Sequence, residues 1–170
     1  MTPKDTARLR FRQMTDSDLE NMLRLLGDPK VMQFYGNPFS RNETQQWIDD
    51  SITRYKKDGY GLWIIETPSG EFIGDCGLTW QFVNGRQQLE VGYHVLHGQQ
   101  GRGYATEAAT ACRDYAAQKG HRSLIAVIYP GNTASENVAK KIGLTAITSS
   151  TDSKGNPFSI FQGSLSQTCP

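Results

Sequence analysis

Residues 7–13 (ARLRFRQ) alternate apolar and basic positions, with Leu9 and Phe11 on one side, and this predicts a strand. Thr15, Asp16, Ser17 and Asp18 supply N-cap chemistry before Leu19, Met22, Leu23 and Leu26, which recur at helical spacing until Gly27. Ser40 and Glu43 have the spacing of a capping box. Behind them Thr44, Trp47, Ile48, Ile52 and Tyr55 form a second helical stripe that ends near Gly59. The period then changes. Residues 61–67 (GLWIIET), 71–80 (EFIGDCGLTW) and 87–96 (QQLEVGYHVL) read as three strands. They are linked by a Pro68-Ser69-Gly70 turn and an Asn84-Gly85 hairpin, short enough to make them antiparallel. A helix is predicted from about residue 104 to Gly120. An apolar strand follows at 123–129 (SLIAVIY), buried on both faces, and then a short helix at 134–142 stopped by Gly143. Two weaker strands at 145–150 and 159–164 close the chain. The order is β-α-α-β-β-β-α-β-α-β-β, an α/β fold with one mixed sheet. The strands at 87–96 and 123–129 are joined by a helical crossover, so they should lie parallel, with a right-handed connection.

The length of 170 residues suits one domain over 1–170, with 166–170 expected as a frayed tail. Eighteen basic and seventeen acidic residues leave a net charge of +1, which argues against a nucleic-acid partner. Cys76, Cys112 and Cys169 show no metal-ligand spacing, so neither a metal nor a disulfide framework is expected. With no apolar leader and no run long enough to span a bilayer, the reading is a cytoplasmic protein without a membrane partner. Monomer and homodimer are both compatible with the sequence.

The stretch Gln100-Gly101-Arg102-Gly103-Tyr104-Ala105-Thr106 (QGRGYAT) places two glycines where a helix begins. Helix N-termini leave backbone N–H groups unpaired and carry partial positive charge. Glycines there allow the chain to wrap an anion such as phosphate, with Arg102 and Arg113 available for charge. A tight strand-to-helix turn explains the same glycines. The P-loop pattern is absent, the third glycine of GxGxxG is missing, and no acidic residue is placed to hold a ribose. A nucleotide-phosphate binder remains a third alternative.

Four blocks in order resemble the GNAT acyltransferases, and among them the RimJ/RimL-like N-acetyltransferases. They are RLRFRQMTDSDLENMLRLLGDPKVMQFYG, GYGLWIIE with GEFIGDCGL, LEVGYHVL followed by QGRGYATEA, and NTASENVAKKIG. The Q/R-x-x-G-x-G/A signature is met by Gln100, Gly103 and Ala105. The resemblance implies acetyl-CoA as cosubstrate, its pyrophosphate on the amides of Gly101 through Thr106. Its pantetheine arm would lie between splayed strands at Tyr93, His94 and Val95, with a bulge making the splay and Asn132 binding a pantetheine amide. A freed N–H near His94 or Val95 would stabilise the charge growing on the thioester oxygen. Leu144 stands where the family usually has phenylalanine.

Direct attack of an amine on a thioester needs a base for the ammonium and a donor for the departing thiolate. Glu90 is the candidate base and Ser135 the candidate donor. Asp75 and His94 are alternatives for the base, and Tyr129 is a less suitable donor. Each has a plain structural explanation: Glu90 as a solvated or paired strand carboxylate, Asn132 and Ser135 as cap residues, His94 as a packed histidine. Phe34, Tyr35, Trp47 and Trp80 could line an acceptor groove or simply pack. The expected partner is an amine, either a peptide N-terminus or a small molecule, and the sequence has no acidic cluster beyond Asp49-Asp50 to suit polycations. The competing function is a CoA-responsive binding module without turnover.

Overall fold

The computed structural model describes residues 1–165, so the expected tail at 166–170 lies outside the described residues. Seven strands form one sheet in the order β1-β2-β3-β4-β5-β7-β6. They are β1 (Arg10–Arg12), β2 (Leu62–Glu66), β3 (Phe72–Val83), β4 (Arg86–Val95), β5 (Ser123–Ile128), β6 (Thr145–Thr151) and β7 (Pro157–Ser164). The helices are α1 (Leu19–Leu26), α2 (Pro29–Met32), α3 (Arg41–Lys57), α4 (Tyr104–Gln118) and α5 (Thr133–Lys141), with 3-10 turns at Asp16–Asp18 and His97–Gln99. The four-residue α2 is additional to the predicted order. Asp28 caps it by accepting the Lys30 N–H, and Pro29 at its first position fixes φ.

The apolar run of β2 shows how the layers are set. Leu62 and Ile64 point to one face and pack with Met22, Leu26 and Ile48 of α1 and α3. Trp63 and Ile65 point to the other and pack with Ala108, Cys112 and Tyr115 of α4. Strand side chains alternate, so a run apolar at every position belongs to a sheet covered on both sides. On α4 the small residues Ala108, Ala109, Cys112 and Ala116 are fully buried and let the helix sit close to β3 and β4.

The local signals act as read. In the Ser40 capping box the Glu43 N–H donates to Ser40 Oγ at 3.3 Å, and the Ser40 N–H donates to Glu43 Oε2 at 2.7 Å. Asn84 and Gly85 both adopt positive φ in the β3–β4 hairpin.

The first helical turn is pinned to the sheet by charge. Arg12 on β1 donates two bonds to Asp18, at 2.8 and 2.7 Å, and one to Glu66 at 2.9 Å. Asp18 is 2% exposed. Burial pushes its carboxyl up, and the Arg12 bonds with the Thr15 N–H outweigh that, holding it below its ordinary value. Asp18→Asn should therefore lower stability by about 2 kcal/mol at neutral pH, discounted because the Arg12 side chain is over a third exposed. A depressed carboxylate stabilises above its unfolded value and loses that contribution as pH falls through the folded one. The deficit of the variant should thus vanish only well below pH 3.8, as read by urea unfolding across pH.

Candidate active site

The sheet opens at its centre. β4 and β5 are parallel and meet at a single register position, Glu90 opposite Ile125. Beyond it β5 pairs with β7 along its whole length, while β4 stays in unbroken register with β3 from Val83–Arg86 to Gly74–Val95. The splay therefore needs no bulge in β4, contrary to the sequence expectation. Each strand keeps its full antiparallel ladder on the outer side, and sheet twist carries the inner edges apart.

The register fixes which backbone groups face the opening. Leu96 N–H bonds the Ile73 carbonyl, so the hydrogen-bonded pairs of this ladder include His94 with Asp75. The His94 N–H is thus committed to β3. Tyr93 and Val95, one residue to either side, turn their N–H groups toward the cleft. The Val95 carbonyl accepts from the Gln100 side chain at 3.1 Å. A Cβ on Gly74 would collide with the His94 carbonyl, so this close approach of β3 and β4 requires glycine there.

The cleft runs to the start of α4. Gly101 and Gly103 have φ of +75° and +83°, and Gly103 is the N-cap without any side-chain cap, which leaves the first amides of α4 free of protein partners. The positive charge nearby is not the one expected from sequence. Arg113 is turned away, bonded to Asp114 at 2.7 Å and to the Ile142 carbonyl at 3.2 Å, because the third turn of α4 faces the end of α5. Arg8 takes the place instead. It donates to the Arg102 carbonyl at 2.8 Å, pairs with Glu107 at 2.6 Å and lies 4.8 Å from the centre of the Tyr104 ring. Arg102 is itself exposed, and the Thr106 carbonyl accepts the Thr110 hydroxyl within the helix. Tyr104, Ala105 and Gln100 line the cleft from this end, with Lys30 and Phe34 on its far wall. Asn132, 6% exposed, caps α5 through its Oδ1, at 3.2 Å from the Ser135 N–H, and the residue also lines the cleft.

A second cavity lies on the α1–α3 side of the sheet, walled by Met32, Phe39 and Trp47 and floored by Thr79, Gln81 and Glu90. The two cavities share Tyr35, Tyr93, His94 and Ser135, so they meet at the splay. Of the aromatic candidates, Trp47 and Tyr35 line the second cavity and Phe34 the first. Trp80 packs against His121 on the opposite face. Tyr129 stacks edge-on with Tyr35 and reaches Asp152 at 3.3 Å, and it lines neither cavity.

Glu90 is half-buried, with Thr79 Oγ1 donating at 3.4 Å. Burial pushes its carboxyl up to about 7, and the Val127 amide, Thr79 and Gln81 offset this only in part. It lines the second cavity alone. Ser135 gives its carbonyl to the Tyr93 hydroxyl at 2.8 Å, which ties β4 to α5 across the gap, and its side chain faces Tyr35. Burial raises the Tyr35 phenol to about 12.

Asp75 and His94, the alternatives for the base, form a pair that the sequence did not show, and Trp47 joins it. His94 Nδ1 lies 2.7 Å from Asp75 Oδ1, and the Trp47 indole N–H donates to Asp75 Oδ2 at 3.1 Å. Asp75 is fully buried. Its position opposite His94 in a hairpin was a usable signal, because the Asn84-Gly85 turn fixes the register. Trp47 comes from a distant helix and had none.

The sheet thus opens between an uncapped helix N-terminus at one mouth and a carboxylate-bearing cavity at the other. The acetyltransferase (GNAT) domain matches residues 8–145, and the chain belongs to this family of acetyltransferases. It is 39% identical over 142 residues to the uncharacterized protein YkkB of Bacillus subtilis (strain 168), covering 82% of this chain and 83% of that one. Its fold matches the acetyltransferase from Agrobacterium tumefaciens str. C58 with a TM-score of 0.83 at 25% identity, over 96% and 94% of the two chains. It also matches RimL, the ribosomal L7/L12 alpha-N-protein acetyltransferase solved with coenzyme A, with a TM-score of 0.79 at 17% identity over 98% and 99%.

Proposed function

We propose that this protein is an acetyl-CoA-dependent N-acetyltransferase in which a primary amine attacks the thioester directly. The observation that supports this is the meeting of the two cavities at Tyr35, Tyr93, His94 and Ser135, where an acceptor in one could reach a donor in the other without a covalent relay. The free amides of Tyr104, Ala105 and Thr106 suit a pyrophosphate, with Arg8, paired with Glu107, close beside them. The pantetheine arm fits the cleft edge, where Tyr93 and Val95 offer backbone groups and Asn132 a side-chain amide. A Val95 or Tyr93 N–H aimed at the thioester oxygen would stabilise the developing oxyanion. Glu90 takes the first proton from the incoming ammonium, and a group titrating near 7 is matched to that work. The Ser135 hydroxyl hydrogen-bonds the departing sulfur.

The acceptor cavity carries one carboxylate, Glu90, and one guanidinium, Arg54, among aromatic walls. This suits a single amine on a neutral or apolar carrier, a peptide N-terminus or a small molecule, better than a polyamine. A panel of amines and N-terminal peptides with acetyl-CoA, read by free thiol, tests the reading. Amine-dependent thiol release is expected. Tight acetyl-CoA binding with no turnover of any amine would instead indicate a CoA-responsive binding module.

A further inference from the structure

Direct transfer from an ammonium to a thioester removes two protons from nitrogen. One goes to bulk solvent, and the other must end on sulfur. Glu90 lines only the acceptor cavity, so it is placed for the first and remote from the sulfur. Ser135 touches both cavities, but an alcohol that gives up its proton must be resupplied, and its neighbour Tyr35 is a weak acid made weaker by burial.

His94 answers the requirement. We infer that His94 Nε2 carries the second proton from the attacking nitrogen to the departing sulfur, and that Asp75, itself held by the Trp47 indole, fixes the imidazole for this task. The side chain is 10% exposed and lines both cavities. Nδ1 is taken by Asp75, whereas Nε2 has no protein partner among the described residues. A buried carboxylate at 2.7 Å keeps the proton of the neutral ring on Nδ1, which leaves the Nε2 lone pair toward the cavities. The second Asp75 oxygen is occupied by Trp47 at 3.1 Å, so the carboxylate cannot rotate away. The Tyr35 and Trp47 rings stand edge-on at 5.2 and 5.8 Å and hold the imidazole plane. The groups that face His94 are Asp75 from β3, Glu90 from its own strand and Tyr35 from the segment after α2. Burial pulls the imidazole down, and Asp75 with a smaller push from Glu90 more than reverses it, so the ring readily accepts a proton.

The step balances. The amine nitrogen forms a bond to the carbonyl carbon, and its remaining excess proton passes to Nε2, giving an imidazolium paired with Asp75. The C–S bond breaks, the sulfur takes its electron pair, and Nε2–H returns the proton to it. The products are the amide and the CoA thiol, with His94 neutral again. His94 would be a catalytic residue, Asp75 and Trp47 positioning residues.

The inference rests on the acetyl-CoA reading, and its test reads the bound product rather than turnover. Coenzyme A bound to wild type, His94→Gln, Asp75→Asn and Trp47→Phe is titrated by the ultraviolet absorbance of its thiolate, with affinity measured in parallel. A basic Nε2 beside the sulfur can take up the thiol proton, so thiolate should appear at lower pH in wild type than in His94→Gln. Asp75→Asn should move it most of the way toward the His94→Gln curve and Trp47→Phe a smaller part. With an amine acceptor, His94→Gln should lower kcat about 100-fold with little change in the KM for acetyl-CoA. Superimposable thiol titrations in wild type and His94→Gln, with CoA bound equally well, overturn the shuttle alone. Failure of wild type to bind CoA overturns the shuttle together with the cofactor reading. Asp75→Asn alters a fully buried group, and Trp47→Phe, which deletes only the indole donor, keeps the prediction testable if that variant does not fold.

Discussion

Glu90→Gln should lower kcat by about 100- to 1,000-fold near neutral pH, with the KM for acetyl-CoA unchanged. The unchanged KM follows from position, since Glu90 borders the cavity proposed for the acceptor and not the cleft proposed for the cofactor. In wild type the rate should rise with pH through about 7, because the group must be ionised to act and burial holds it there. In the variant that limb should be gone. Its rate should instead climb about tenfold per pH unit as solvent supplies neutral amine. The same carboxyl should also mark the pH dependence of stability. A carboxyl at 4.5 when unfolded and about 7 when folded makes the folded state bind more protons between those values. The wild type should therefore lose stability as pH rises through this window and level off above 7, and Glu90→Gln should not. Parallel thermal melts that show no such difference, or a Glu90→Gln enzyme with full activity, would remove Glu90 from the mechanism.

Gly103→Asp should weaken CoA binding by about 10- to 100-fold, equivalent to about 1.4–2.7 kcal/mol, while leaving the protein folded. The residue is the N-cap of α4 in a left-handed conformation, which aspartate adopts more readily than most residues, and a carboxylate at a helix start is electrostatically favourable for the helix itself. The space beside it is open apart from Arg8 at 3.3 Å from the added Cβ, and Arg8 is already held by Glu107. The substitution thus adds negative charge where the pyrophosphate needs donors. Gly103→Ala is the control for backbone strain without charge and should cost far less affinity. Calorimetric titration with CoA measures both. Equal affinity in Gly103→Asp and wild type would move the pyrophosphate off this helix.

The elements were legible because they rest on local rules. The Ser40–Glu43 box, the Asn84-Gly85 turn and the doubly apolar runs of β2 and β5 each state their structure within a few residues. The short α2 was missed because four residues give no period to read. Arg8 and Arg113 illustrate the limit for the site. Arg113 lies nearer to the glycines along the chain, yet the direction of the third helical turn sends it to the Ile142 carbonyl, and the segment before the first strand brings Arg8 across instead. The bulge expected in β4 was likewise unnecessary, since the unbroken β3–β4 ladder and the β5–β7 ladder suffice to part the strands.

By itself the sequence determined the strands and helices, the parallel crossover around α4 and the uncapped glycine start of that helix, because periodicity, caps and turns act between neighbours. The pairing of Asp75 with His94, its anchorage by Trp47, the displacement of the Glu90 carboxyl and the contact between the two cavities were decided only by the tertiary structure. Each depends on burial and on side chains that meet across strands and helices far apart in the chain, where low dielectric and shape, and not local preference, set the energies.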